Sequence, residues 1–172
     1  MDHLAALIRE IPDFPKAGIS YKDITPLLAD PAGLALSVEM MVNPFRGRRV
    51  DLVAGAESRG FIFGAAVAQA LSAGFVPIRK PGKLPSITHG VDYGLEYGND
   101  RVEIHRDAIA AGQRVLMVDD LLATGGTMRA CCELVARLDA EIVGQTFLIE
   151  LTELGGRARL SPHGEVHAVL RY

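Results

Sequence analysis

The chain lacks the features of several common protein classes. Its 18 basic and 21 acidic residues nearly balance, so the charge predicts no binding to nucleic acid or to an anionic membrane. No run of about 18 apolar residues indicates a membrane span, and no signal-peptide pattern is present at the N-terminus. The two cysteines, Cys131 and Cys132, are adjacent. That spacing suits neither a disulfide nor a zinc site and favours reduced thiols in a cytoplasmic protein.

The order of hydrophobic patterns predicts a single α/β domain. A chain of 172 residues has about the length of one domain, so we expect one over residues 1–172. Short apolar runs and helical spacing give strands at residues 50–54, 75–78, 115–118, 142–149 and 166–170, and helices at residues 4–11, 31–43, 60–71 and 127–138. The second of these helices has a predicted N-cap, Asp30, followed by Pro31 at the first helical position. Strands that alternate with helices favour a parallel sheet with helices on both faces.

The segment from residue 115 to residue 127 carries the most specific pattern. A buried strand is followed at once by two carboxylates, Asp119 and Asp120, which we call the acid pair. A turn of small residues then opens a helix; this phosphate turn consists of Ala123, Thr124, Gly125, Gly126 and Thr127. Glycines let backbone N–H groups point at an anion, and the helix N-terminus adds positive potential. The pattern therefore predicts a phosphate site.

The acid pair indicates what else the ligand carries. No lysine follows the glycines, so the segment is not a G-x-x-x-x-G-K-[ST] loop, and G-x-G-x-x-G is absent as well. Two carboxylates would repel a phosphate unless they contact an uncharged group, and a sugar diol is such a group. The pattern predicts a ribose 5-phosphate with its 2′- and 3′-hydroxyls on the acid pair. The alternative is a buried strand that ends in a solvated Asp-Asp turn.

A second segment, residues 54–59, also follows a predicted strand. Ligands of parallel sheets bind beyond the carboxyl ends of the strands, so the two segments can share one crevice. Gly55 and Gly60 bracket a tight turn, and the planar fork of Arg59 can bridge phosphate oxygens. The alternative for Arg59 is a surface arginine at the start of a helix.

Two irregular segments complete the set of candidates. Residues 81–99 are rich in glycine and proline with little periodicity, which predicts a long functional loop. Glu96 lies in this loop, where a solvated acid is the alternative. Tyr21 lies in a segment with prolines at both ends, and its ring can stack on a purine or be a partly buried loop residue.

Residues 115–127 resemble the phosphoribosyl-pyrophosphate (PRPP) binding motif of the type I phosphoribosyltransferases. The likeness covers nearly the whole chain and includes residues 11–15, 21–26, 57–61, 79–85 and 95–98. It implies the parallel-sheet type I phosphoribosyltransferase fold with helices on both faces. It also implies a small hood at about residues 11–27 and a long flexible catalytic loop at about residues 80–100.

The resemblance implies purine salvage by transfer of the 5-phosphoribosyl group from PRPP to adenine, giving AMP and pyrophosphate. It assigns PRPP and AMP to the acid pair and the phosphate turn. It assigns pyrophosphate to Glu57, Ser58, Arg59, Arg79, Lys80 and Lys83. It places adenine against Ser20, Tyr21 and Lys22. It makes Glu96 the catalytic residue, which closes over the purine and manages the proton at N7.

Further properties are implied in the same way. A cis peptide is expected at Glu57–Ser58. Mg²⁺ is expected as the cofactor, held mainly by substrate oxygens and water, so no protein metal ligand is assigned. A homodimer is expected, in which Arg79 contacts the neighbouring subunit's site.

The choice of base depends on Ala123. Family members that use 6-oxopurines place an aspartate there to contact N7, and they use a lysine to donate to O6. Adenine presents an N6 amino donor, which backbone carbonyls of residues 19–22 can accept. Two rival functions are a non-catalytic PRPP sensor, which needs a DNA-binding appendage or basic surface, and an unrelated nucleotide-binding module, which would lack the loop glutamate.

Overall fold

The computed structural model describes residues 2–95 and 98–172 and contains a central parallel sheet. Its five strands are β3 (Leu52–Ala56), β4 (Gly74–Ile78), β7 (Arg114–Leu122), β8 (Glu141–Glu150) and β9 (Val166–Arg171). They lie in the order β4-β3-β7-β8-β9. The described helices are α1 (Asp2–Ala6), α2 (Thr25–Ala29), α3 (Pro31–Val42), α4 (Gly60–Ala70), α5 (Gly126–Ala136) and α6 (Gly156–Leu160), with short 3₁₀ turns at Asn43–Phe45, Thr152–Leu154 and Ser161–His163.

The sheet separates two hydrophobic cores because helices cover both of its faces. Val115 and Met117 of β7 pack with α5 in one core, whereas Leu116 and Val118 pack with α3 and α4 in the other. Successive side chains of a strand point to opposite faces, so a strand covered on both sides is apolar along most of its length. This requirement explains the unbroken apolar run before the acid pair. The predicted α/β class and the helices on both faces are confirmed.

The start of α3 follows its predicted cap. The Asp30 carboxylate accepts a hydrogen bond from the Gly33 amide at 2.6 Å, and Pro31 is the first helical residue. A side-chain acceptor at this position satisfies one of the amides that have no partner inside the helix. The helix ends at Val42, immediately before the Asn43–Phe45 turn.

The N-terminal helix is shorter than its apolar spacing predicted. The helix ends at Ala6, and Arg9–Ile11 forms β1, which pairs antiparallel with β2 (Tyr21–Asp23). Ion pairs link the two strands: Arg9 with Asp23 at 2.5 Å and Lys22 with Glu10 at 3.0 Å. The prediction of helix over residues 9–11 was therefore wrong, since strand pairing within the hood overrides the local spacing.

The segment predicted as a long loop is largely a β-hairpin. Strands β5 (Thr88–Leu95) and β6 (Gly98–His105) pair antiparallel. Val91 and Tyr93 are buried against α5, while Asp92 between them is exposed. Gly90 interrupts this alternation in the sequence, because the Arg101 guanidinium occupies the space that a Cβ there would need. The absence of visible periodicity therefore misled the prediction for this part.

No helix among the described residues is long and apolar enough to cross a bilayer.

Candidate active site

The acid pair lies at the carboxyl end of β7, inside the strand rather than after it. Strand pairing continues to Leu122, beyond the predicted end. Asp120 is 5 % exposed, and its carboxylate forms an ion pair with Arg59 Nε at 2.7 Å. The Asp119 carboxylate accepts a hydrogen bond from the Asp120 amide at 2.9 Å. The strand therefore fixes both carboxylates against the rest of the fold.

Desolvation sets the protonation behaviour of the acid pair. Burial raises the pKa of Asp119 well above its ordinary value, and the negative charge of Asp120 raises it further. Burial also raises the pKa of Asp120, while the Arg59 guanidinium opposes that rise. Carboxylates removed from water gain more from a hydroxyl donor than solvated ones do. The pair is therefore well suited to accept hydrogen bonds from a neutral diol.

Gly60 allows Asp119 to occupy this position, a role that goes beyond the tight turn predicted from the sequence. Gly60 is the first residue of α4, and a Cβ on it would lie 2.6 Å from Asp119 Oδ1. Any other residue at this position would push the carboxylate aside. The close approach of Gly60 to Asp119 is a tertiary contact, so no local sequence signal reveals it.

The phosphate turn connects the acid pair to α5 and lines the same cleft. Gly125 adopts a left-handed conformation with φ of 78° immediately before the helix, which explains why glycine is needed there. Helix α5 then begins at Gly126, so its N-terminal amides face the turn. The cleft has a volume of about 540 Å³ and is lined by Glu57, Ser58, Arg59, Lys80, Asp119, Asp120, Leu121, Leu122, Met128 and the whole phosphate turn.

Helix α6 supports the phosphate turn from behind. A Cβ on Gly156 would press on the Ala123 carbonyl and lie 3.1 Å from the Gly125 amide nitrogen. Leu160 is fully buried and lies beside Gly125. This support was not predicted from the sequence, although the adjacent glycines 155 and 156 after a buried strand were a signal for close backbone packing.

The opposite wall of the cleft follows β3 and includes Glu57, Ser58 and Arg59. The Glu57–Ser58 peptide bond is cis, as the resemblance implied. The Glu57 carboxylate accepts hydrogen bonds from Arg79 Nε at 2.8 Å and Lys83 Nζ at 2.9 Å. Burial alone would raise the pKa of Glu57, but these two cations outweigh it and lower the pKa. Its side chain thus orients cations rather than meeting an anion directly.

Lys80 joins the cleft to the hairpin through Tyr93. Its ammonium donates to the Tyr93 hydroxyl at 3.1 Å and also pairs with the Asp100 carboxylate. The Tyr93 hydroxyl donates to Asp100 at 3.0 Å and lies 3.3 Å from Thr127 Oγ1 of the phosphate turn. Tyr93 and Asp100 were not among the predicted site residues, because the hairpin that positions them was not recognised.

The hood places Tyr21 over Arg59. Arg59 donates to the Tyr21 hydroxyl, and its guanidinium lies 5.3 Å from the centre of the Tyr21 ring. The Phe14 ring contacts Tyr21 edge-on at 5.1 Å. Through Arg59, Tyr21 is thus linked to Asp120 of the acid pair, although it is not among the residues that line the cleft.

The flanking hood residues are held by a carboxylate outside the cleft. Ser20 donates to Glu10, and Lys22 pairs with Glu10 and lies 4.4 Å above the Tyr172 ring. Their side chains are therefore engaged within the hood. Glu96, the predicted catalytic residue, lies outside the described residues.

Comparison with known proteins agrees with this geometry. Residues 21–160 match the phosphoribosyl transferase domain family. The chain is 61 % identical over 165 residues to the adenine phosphoribosyltransferase of Rhodopirellula baltica, covering 96 % of this chain and 80 % of that protein. It is 58 % identical to the adenine phosphoribosyltransferase of Methylococcus capsulatus, with full coverage of both chains.

A solved structure extends the match to three dimensions. The crystal structure of adenine phosphoribosyltransferase from Thermoanaerobacter pseudethanolicus superposes with a TM-score of 0.96 at 50 % identity, covering 99 % of each chain. Both the sequence and the arrangement of the whole fold are therefore shared. The chain belongs to the phosphoribosyltransferase family, within its adenine phosphoribosyltransferase group.

Proposed function

We infer that this enzyme transfers the 5-phosphoribosyl group of PRPP to adenine, giving AMP and pyrophosphate in purine salvage. The observation that carries this inference is one cleft that contains a desolvated acid pair, a glycine-rich turn at a helix N-terminus and a wall of cations. These three parts match the diol, the 5′-phosphate and the pyrophosphate of PRPP. The identity of the base follows from the relatives, which are adenine phosphoribosyltransferases.

The ribose 5-phosphate half of PRPP is assigned to β7 and α5. The 5′-phosphate lies in the phosphate turn, where it receives backbone N–H groups and the hydroxyls of Thr124 and Thr127. The 2′- and 3′-hydroxyls donate to Asp119 and Asp120. The ion pair with Arg59 holds the Asp120 carboxylate in place and opposes the rise in its pKa that burial causes, so the acceptor is oriented before the ligand arrives.

The pyrophosphate is assigned to the wall built on Ser58, Arg59 and Lys80, with Glu57 orienting Arg79 and Lys83. The anomeric carbon gains positive charge as its bond to pyrophosphate breaks and its bond to a ring nitrogen of adenine forms. Holding the nucleophile, this carbon and the leaving group in line lowers the entropic part of the barrier. Positive side chains at the leaving group stabilise the charge that develops there.

We also propose that the enzyme is a homodimer in which Arg79 serves the neighbouring subunit's cleft. Of the described residues, Lys80 lines the cleft of its own chain, whereas Arg79 is not among the lining residues. Arg79 is held by Glu57 and by the Lys83 carbonyl, which it contacts at 3.2 Å, with about a third of its side chain exposed. That position suits a cation directed toward a partner.

Adenine is assigned to the hood. Tyr21 stacks on the purine, and backbone groups of residues 19–22 read its edge, since the Ser20 and Lys22 side chains are occupied by Glu10. Ala123 lines the cleft with a methyl group where an enzyme for 6-oxopurines would place an aspartate. We assign the remaining contact, at N7, to Glu96.

Mg²⁺ is proposed as the cofactor and the cytoplasm as the location. Within the described ranges, no group of three His, Cys, Asp or Glu side chains is arranged to hold a metal. The carboxylate oxygens that face the cleft, from the acid pair and Glu57, suit a hard cation that keeps most of its ligands from substrate and water. When bound, the ion neutralises charge on the pyrophosphate. The two free, buried thiols support a reducing compartment.

The test is steady-state formation of AMP and pyrophosphate from adenine, PRPP and Mg²⁺. Replacing Asp119 or Asp120 with Ala should reduce kcat/KM for PRPP about ten- to hundredfold, since each removes a charge-assisted hydrogen bond. Glu39→Ala is the matched control, because it removes a carboxylate of α3 that forms an exposed ion pair with Arg46. Absence of AMP formation by the wild-type protein would refute the function, and full activity of both acid-pair variants would refute the site.

A further inference from the structure

The phosphate turn has no cation of its own. No lysine follows its glycines, and Met128 stands next in the chain. The ligand's 5′-phosphate carries about −1.5 to −2 charges at neutral pH. Three acidic residues, Glu57 and the acid pair, also line the same cleft. Neutral amides and hydroxyls alone would thus have to hold a doubly charged group close to acidic side chains, which makes an additional cation favourable.

The cations on the opposite wall are already engaged. Arg59 pairs with Asp120, and Lys80 pairs with Asp100. Both belong to the pyrophosphate side of the cleft. A cation for the 5′-phosphate must therefore come from a different element.

Arg159 of α6 lies beside the phosphate turn. Its Nη1 is 4.0 Å from the point that a Cβ on Gly126 would occupy, and Gly126 is the first residue of α5. No hydrogen bond or ion pair engages Arg159 within the part of the chain that the structure describes. The guanidinium is thus exposed and unpaired among the described residues. It lies beside Gly126, which lines the cleft, although Arg159 itself is not among the lining residues.

The other arginine of α6, Arg157, has a structural role. Arg157 donates to both oxygens of the Glu150 carboxylate, at 2.9 and 2.5 Å, and to the Val166 carbonyl at 2.5 Å. These contacts fix α6 to β8 and β9. Arg159 makes no contact of this kind, so the stability of the helix does not account for its charge.

The position of Arg159 relative to the turn is also fixed. Gly156 packs directly on the Ala123 carbonyl, and Leu160 packs against Gly125. Arg159 thus extends from a helix whose two ends contact the phosphate turn. Only its flexible side chain has to move to reach a bound phosphate.

We propose that Arg159 binds the 5′-phosphate of PRPP and AMP and supplies, from a separate helix, the cation that the turn lacks. The planar guanidinium can donate two parallel hydrogen bonds to phosphate oxygens. This inference rests on the proposed function for the identity of the ligand, and it adds a binding residue to that site.

The test uses ribose 5-phosphate as the probe, since it carries the 5′-phosphate without adenine or pyrophosphate. Arg159→Gln should weaken binding of ribose 5-phosphate and AMP by about five- to tenfold, measured by calorimetry at low salt. Binding of pyrophosphate should not change. Arg159→Lys should restore most of the affinity. Arg46→Gln is the matched control, because it removes the same charge from an exposed ion pair with Glu39, in a segment of the chain that is distant in sequence from α6.

The outcomes separate this inference from the function itself. If the wild-type protein binds ribose 5-phosphate and Arg159→Gln binds it equally well, the inference is overturned. If Arg159→Gln loses affinity for pyrophosphate to the same extent, the change is general damage and the inference is also overturned. If the wild-type protein binds neither ribose 5-phosphate nor PRPP, the proposed function fails first. A loss confined to 5′-phosphate ligands, with an unchanged unfolding transition, supports the inference.

Discussion

Replacing Gly60 with Ala should damage the active site without damaging the fold. The new Cβ would lie 2.6 Å from Asp119 Oδ1, while ordinary contacts begin at 3.4 Å. The carboxylate must therefore retreat by about 0.8 Å, the difference between those two distances. The other near neighbours lie at 3.3 and 3.4 Å, so the backbone needs little adjustment. The strain falls on the one side chain that we assign to the ribose diol.

The magnitude follows from this displacement. A misplacement of about 1 Å in a positioning group can cost about a hundredfold in rate. Loss of one charge-assisted hydrogen bond corresponds to about ten- to hundredfold. We therefore expect kcat/KM for PRPP to fall by about ten- to hundredfold. Stability should be unchanged or rise by up to about 1 kcal/mol, because alanine is favoured over glycine in a helix.

A double-mutant cycle gives the control. Initial rates of AMP formation at varied PRPP are compared for wild type, Gly60→Ala, Asp119→Ala and the double variant. Because the clash requires the Asp119 carboxylate, Gly60→Ala should have little further effect once Asp119 is replaced. Wild-type kcat/KM in Gly60→Ala, or a full additional loss in the double variant, would contradict the reasoning.

Three further substitutions test other parts of the site and its support. Glu96→Leu should lower kcat more than it weakens PRPP binding, and an unchanged kcat at saturating substrate would remove the catalytic assignment. Tyr93→Phe keeps the buried ring but removes the hydroxyl that contacts Lys80; KM for PRPP should rise about three- to tenfold, and an unchanged KM would contradict this linkage. Glu150→Gln should lower the free energy of unfolding by about 1–3 kcal/mol at neutral pH, because Arg157 loses its partner. Hydrogen bonds from Arg157 lower the pKa of Glu150 below its ordinary 4.5, so the stabilisation is complete above that value and is lost as pH falls through the lower folded-state pKa. The difference between wild type and Glu150→Gln, measured by urea denaturation, should therefore shrink in acid; a constant difference would contradict it.

The fold was predictable where one local rule dominates. Strands buried on both faces are mostly apolar, so β7 was recognised from an unbroken apolar run and β8 from two apolar runs on either side of Gln145 and Thr146. The capped start of α3 was recognised from Asp30 and Pro31. The shared edge of a parallel sheet explains why the acid pair and Arg59, far apart in the chain, were expected in one crevice.

The remainder depended on contacts between distant segments. Glycines at positions 90 and 94 hid the hairpin, because a glycine carries no polar side chain that would mark the exposed face of β5 between the apolar residues. The need for Gly60 becomes visible only when Asp119 is placed against it. Arg159 lies beyond the motif in sequence, and only the packing of α6 brings it to the phosphate turn.

The most direct test of the proposed function is a competition among bases. Adenine, hypoxanthine and guanine are supplied at equal concentration with PRPP and Mg²⁺, and the nucleotide products are separated and quantified. A site that pairs the N6 amino group of adenine leaves buried polar groups unsatisfied with a 6-oxopurine, which can give discrimination of several orders of magnitude. AMP should therefore be the dominant product, and preferential formation of IMP or GMP would contradict the assignment.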